Sequence, residues 1–350
     1  MDWKAFYREI QEGTFRSVYL FSGPEEHLKR KAVEALEKAI LPAGMEEMNR
    51  TRLEGADAQR ILEAAETIPF LAERRMVIVT DFAPLLSGKS KSEESEAEKI
   101  AQWLKSPPNT VCLIFYMRSE PDGRKKLTGA LKKSGAEVRF ESLSDSEIAA
   151  WAKKLLRPLG KELPMPSVAR LTFIAGRDLN RLAGEMEKLI AFTGDRREIQ
   201  PEDISKVVSP SPEYTVFEMM DKLLQGDVAG ANRALSNLLY SGQSRMGILA
   251  MLLRQVRSLC HMALALQAGG SAASVEKQLG LHPYAAKRIA QQCRGLDAKE
   301  LEKSYLELVE SDFSVKSGLL RDRDALDFAM LKIGEIRRNS GTPARKSPSK

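Results

Sequence analysis

The sequence predicts an α/β domain followed by all-α structure, on three observations. Over residues 1–140, apolar strand-like runs alternate with helical stretches, the pattern of a largely parallel sheet with crossover helices. After residue 144 helical periodicity continues without a convincing strand, and the turn-rich "SPSPEY" cuts that helical part in two. The expected division is an α/β domain at 1–142, a small helical domain at 143–210, a helical bundle at 211–336 and a basic tail at 337–350.

In order, the strand-like runs are "SVYLF", a short "NRTRLE", "RMVIVTDF", "TVCLIFYM" and "AEVRF". Their β-branched and aromatic content suits a pleated, buried surface. Between them, "EEHLKRKAVEALEKAI", "DAQRILEAAETI", "EAEKIAQWLK" and "RKKLTGALKKSG" carry apolar residues at helical spacing. "SDSEIAAWAKKLL" then opens the helical part, with Ser144 and Glu147 spaced as a capping box. "VARLTFIAG" and "LNRLAGEMEKLIAF" follow, and Pro201 and Asp203 sit at a helix start. From 216 to 336, amphipathic helices separated by "LQGD", "YSGQS" and "QAGGS" read as a bundle whose Leu and Met stripes are core.

Composition narrows the function. A chain of 350 residues, 43% hydrophobic and 29% charged, reads as two or three soluble domains. Residues 1–13 are polar and charged, so no signal peptide is expected, and no apolar run is expected to reach the roughly 18–20 residues of a membrane span. Cys112, Cys260 and Cys293 lie far apart, which argues against zinc or disulfides and for a cytoplasmic protein. Of the net charge of +6, +5 sits in the tail "RRNSGTPARKSPSK", which has no acids and is expected to be disordered. Residues 1–141 carry 23 basic and 23 acidic groups, and 211–336 carry 15 of each. A generic helical DNA-binding protein would need a basic face that these counts do not supply.

Catalytic signals fail one by one. "LFSGPEEHLKRKA" has the strand, glycine turn and helix of a phosphate-binding loop. Yet Leu28 stands where the second glycine of G-x-x-x-x-G-K-[ST] belongs, and Arg30 where the hydroxyl belongs. Gly23 and Lys29 are what remains of the pattern, and Glu25 and Glu26 oppose an anion at the helix start. Asp81 ends its strand as a magnesium-binding aspartate would, with no phosphate loop to serve. "APLLSGKS" at 83–90 satisfies a looser form of the motif, but its interior Pro-Leu-Leu-Ser is not glycine-rich and it runs into acidic "KSEESEAEK"; it reads as a solvated linker. His27, His261 and His282 have no second metal ligand or nucleophile at a useful spacing, and His282 reads as structural, in a turn into a helix. Asp312 and Lys316, four apart, read as a surface ion pair. Neither catalytic residue, metal nor cofactor is expected.

"VYLFSGPEEHL", "ETIPFLAERRMVIV", "GRDLNRLAGEMEKL", "LLRQVRSL", "LGLHPYAAKR" and "ESDFSVKSG" occur in an order that resembles the delta subunit of bacterial DNA polymerase III, over roughly residues 18–336. The resemblance implies an AAA+-like first domain without a working phosphate loop, a helical lid and a helical collar. It implies a non-catalytic clamp-loader subunit of DNA-directed DNA polymerase, a nucleotidyltransferase assembly. Such a subunit binds and opens the sliding clamp (the beta subunit) without binding or hydrolysing ATP. Gamma or tau and delta prime subunits would assemble through the collar around primed DNA, with no membrane involved. Asn180 then falls where an active lid would carry its sensor arginine, and no Ser-Arg-Cys finger motif is present. The resemblance also implies a clamp-binding plug of Phe70 and Leu71 supported by Ile68 and Pro69. Pro69 ends the helix before them, and burying the pair in a partner would contribute about 4–6 kcal/mol. By residue pattern alone, the same pair could equally fill the domain's own core. An active AAA+ ATPase of DNA metabolism, or a helical DNA-binding protein, is the alternative function.

Overall fold

Strands that are apolar at every position need cover on both faces, which helices in the crossover connections provide. The computed structural model describes residues 1–88, 90–133 and 137–339, and of Arg337 only the backbone. One five-stranded sheet contains β1 (Val18–Ser22), β2 (Arg50–Glu54), β3 (Arg75–Thr80), β4 (Val111–Tyr116) and β5 (Glu137–Arg139). The spatial order is β2-β3-β4-β1-β5, and every pairing is parallel.

Helices α1 (Trp3–Gln11), α2 (Glu26–Ile40), α3 (Glu46–Asn49), α4 (Ala58–Glu66), α5 (Lys91–Trp103) and α6 (Lys126–Lys133) complete this part. Along β1 the two faces alternate. Tyr19 and Phe21 meet Phe6 of α1 edge-to-face, and Phe21 also meets Phe140. Val18 and Leu20 join Ile61, Ile100 and Leu127 of α4, α5 and α6 in the other core layer. Helix α1 lies in a stretch that read only as polar; Asp2 caps it by accepting from the Ala5 N–H at 2.8 Å, and Phe6 is its one buried residue.

The linker expected after "SGKS" is corrected. Helix α5 begins at Lys91, with Ser90 accepting from the Ser92 N–H, so the polar run "KSEESE" is helical. Its early turns face solvent and only Ile100, with Ala97, Ala101 and Trp103 beside it, reaches the core. A helix that touches the sheet only through its second half can start polar. Lys89 of that motif lies outside the described residues.

The chain divides into two compact units, Met1–Ser144 with Asp178–Asn180, and Asp145–Arg177 with Arg181 onward. The second unit is helical: α7 (Asp145–Leu156), α8 (Met165–Ala175), α9 (Leu179–Thr193, whose first two residues belong to the first unit), α10 (Pro201–Val207), α11 (Pro212–Gln225), α12 (Val228–Tyr240), α13 (Arg245–Gln267), α14 (Ala272–Leu279), α15 (Pro283–Gln292), α16 (Ala298–Lys316) and α17 (Asp322–Asn339). The expected lid and collar segments meet at Phe173 of α8, whose ring packs on Tyr214, Phe217 and Tyr284. His282 caps α15, its Nδ1 accepting from the Tyr284 N–H at 3.1 Å while Nε2 faces Asp145 at 3.3 Å, the structural role expected of it. Asp312 and Lys316 form the anticipated ion pair at 2.5 Å.

Two further expectations change. Helix α13 is long and apolar enough, by length and mean hydropathy, to cross a membrane, although no such run was expected. Half of that window is buried, with Ile248, Leu252, Val256 and Leu259 in the core, as befits a central bundle helix. Helix α17 runs to Asn339, past the point where the tail was expected to start; 340–350 lie outside the described residues. Cys112, Cys260 and Cys293 are buried free thiols, and burial pushes each up, Cys112 to about 12.

Candidate functional site

The phosphate-loop scaffold is filled by the chain itself. Gly23 adopts φ +98°, and a Cβ there would lie 2.4 Å from the Phe140 carbonyl oxygen. This glycine therefore serves the close approach of the segment after β5, which the Glu25 N–H to Phe140 O bond of 3.0 Å fastens. Glu25 caps α2, its Oε1 accepting from the His27 N–H at 3.3 Å, where a phosphate would otherwise meet the helix start. Burial pushes the Glu25 carboxyl up to about 7, opposed by the His27 hydrogen bond and reinforced by Asp178 and Glu26. Leu28 is buried in the core.

Lys29, in place of the phosphate-binding lysine, points inward. It is fully buried, donates to the Met117 carbonyl at 2.6 Å, pairs with Glu26 and sits 5.3 Å from the Tyr116 ring centre. The Tyr116 hydroxyl in turn donates to Glu26 at 2.7 Å. Arg30 donates to Asn180 Oδ1, the same oxygen that lies 2.9 Å from His27 Nδ1. Asp81, at φ +49°, accepts the Arg118 N–H at 2.8 Å and lies 3.7 Å from its guanidinium. In the second, looser motif the Glu93 carboxylate lies 3.5 Å from where a Gly88 Cβ would be, over the loop that would have to cradle phosphate.

The loop between α4 and β3 is the opposite case, a surface that nothing among the described residues covers. Helix α4 stops at Glu66, two residues before the residue preceding Pro69 would leave helical geometry. Beyond it, Ile68 is 85%, Phe70 52% and Leu71 73% exposed. The reading of Phe70 and Leu71 as the domain's own core is thus not the arrangement found. Large apolar side chains adjacent on a surface usually mark a partner site.

This loop is held from beneath. Asn49, fully buried at the end of α3, accepts from the Phe70 N–H at 2.7 Å through Oδ1. Its Nδ2 donates to the Phe70 carbonyl at 2.9 Å and to the Met45 carbonyl at 3.1 Å. Buried Arg75 reaches the Thr67 carbonyl at 3.4 Å and the Thr51 hydroxyl at 2.9 Å. Leu71 takes φ +48°, a left-handed conformation unusual for a branched side chain. Neither Asn49 nor the Leu71 backbone stood out in the sequence; a lone asparagine between a short helix and an edge strand carries no local signal.

Two family models match the chain. The one for "DNA polymerase III, delta subunit" covers residues 19–141, and the one for "DNA polymerase III delta subunit, C-terminal domain" covers 213–333. The DNA polymerase III subunit delta of Bacillus subtilis is 25% identical over 95% of this chain and 96% of its own length. A probable DNA polymerase III subunit delta of Aquifex aeolicus is 24% identical over 52% of each. Among solved structures, the Bacillus subtilis DNA clamp loader delta protein shares the fold, with a TM-score of 0.53 and 23% identity over 95% of this chain and 99% of that one. With both models of one family matched in order, and together covering most of its length, the chain belongs to the DNA polymerase III delta subunit family.

Proposed function

We propose that this clamp-loader delta subunit binds the sliding clamp through Ile68, Pro69, Phe70 and Leu71, opens the ring for loading on primed DNA, and neither binds nor hydrolyses ATP itself. The observation that carries the reading is the exposed apolar loop before β3, fastened at its base by Asn49 and Arg75. Weighted by exposure, Ile68, Phe70 and Leu71 would together contribute about 5 kcal/mol on burial in an apolar pocket. Ring opening requires tighter binding to the open than to the closed clamp, and the shift is limited to that difference. The filled phosphate-loop scaffold supports the absence of nucleotide chemistry. Gamma or tau and delta prime subunits are the partners proposed for the helical 211–336 segment.

The test is clamp pull-down and ring-release kinetics with wild type and the Phe70→Ala/Leu71→Ala pair, alongside thermal melts. Loss of clamp binding by at least about 100-fold is expected with the melt lowered by only about 2–4 °C, since Leu71 and about half of Phe70 already lie in solvent. Full clamp binding by the folded pair would refute the assignment.

A further inference from the structure

We infer that Asn49 is a positioning residue for clamp binding, setting the conformation in which Phe70 and Leu71 are presented; the inference rests on the function proposed above. A single buried amide satisfies both backbone groups of one loop residue, Phe70 N–H at 2.7 Å and Phe70 O at 2.9 Å, as a neighbouring strand would. Its remaining donor is anchored on the Met45 carbonyl at 3.1 Å, so the amide cannot turn over without losing partners. Directly after this fixed point, Leu71 enters the left-handed region at φ +48°. A leucine leaves that region when nothing holds it, because its Cβ crowds the backbone there.

Core packing does not account for this arrangement. Burying an amide costs free energy unless its bonds are made, and the loop those bonds order sends Ile68, Phe70 and Leu71 into solvent rather than into the domain. What the amide secures is a shape at the surface. Preorganisation of that kind raises affinity by raising the fraction of molecules ready to dock.

The experiment uses the full chain and the sliding clamp, with Asn49→Ala, Asn49→Asp and the Phe70→Ala/Leu71→Ala pair measured for association rate, dissociation rate and melting. The Asn49 variants are expected to bind on the order of tenfold more weakly, mainly through slower association of folded molecules, as a smaller docking-ready fraction demands. The Phe70/Leu71 pair should instead dissociate faster, having lost contacts. A merely structural Asn49 would lower the melting temperature and leave the association rate of the folded fraction untouched, which overturns the inference. Amide hydrogen exchange on the wild-type chain gives a check that needs no variant to fold. The Phe70 N–H should exchange slowly despite its exposed loop, and exchange at an unprotected rate would also overturn it. Should the Phe70/Leu71 pair bind as wild type, the proposed function fails, and the inference with it.

Discussion

Replacing Lys29 separates a lysine that builds the fold from one that holds a nucleotide. In Lys29→Ala, three methylenes beyond Cβ leave a fully buried site, a loss of about 2 kcal/mol at roughly 0.8 kcal/mol each. The Met117 carbonyl, 2.6 Å from Nζ, loses its partner at about 1–3 kcal/mol. Against this stands the relief of a buried ammonium, worth a few kcal/mol when its pairing with Glu26 is imperfect. The net expectation is destabilisation by about 2–3 kcal/mol, and about 1 kcal/mol for Lys29→Met, whose unbranched apolar chain fills most of the same space. Urea unfolding followed by circular dichroism, with and without ATP and magnesium, reads both quantities. Wild type should show no stabilisation by nucleotide, since only a ligand that binds the native state raises its stability and the proposed function includes no such binding. Wild-type stability that rises with ATP and ceases to rise in Lys29→Ala, or a Lys29→Ala chain as stable as wild type, would refute the reasoning.

Gly23→Ala should destabilise the first unit by about 3 kcal/mol or more, because a Cβ meets backbone at 2.4 Å and φ is +98°; a thermal melt checks it. Glu25 keeps its proton to about 7 in the folded chain but only to about 4.5 when unfolded. Between those values the unfolded state binds fewer protons, so Glu25 should make stability fall as pH rises from about 4.5 to 7, then level off. Glu25→Gln should remove this component and stabilise the chain at pH 8 by up to about 3 kcal/mol, measured by denaturant titration across that range.

The strands were legible because a sheet covered on both faces demands unbroken apolar runs, and "RMVIVT" and "VCLIFY" have no other use. Helix α1 was not, since a helix that buries only Phe6 leaves a composition indistinguishable from surface chain. The start of helix α5 was not legible, because its polar run reads as solvated chain; the Ser90 cap is the better guide for a helix lying mostly in solvent. At the candidate site, Pro69 and two adjacent apolar residues were visible, but whether they turned in or out was not. The bonds that hold this loop come from Asn49, 21 positions earlier in the chain, and from Arg75. A contact of this range leaves no periodicity and no spacing to read.

The sheet order also governs how the chain is made. Strand β1 leaves the ribosome first, yet its neighbours are β4 and β5. The first partner strand begins roughly 90 residues later, a wait of about 5–20 s at usual synthesis rates of about 5–20 residues per second. Meanwhile "VYLFS", buried at every position when folded, has no strand to pair with. Short apolar β-forming segments of this kind invite intermolecular pairing. The nascent first unit is therefore expected to need shielding by chaperones until β5 emerges, and a stalled chain ending before residue 111 should be recovered bound to them or aggregated.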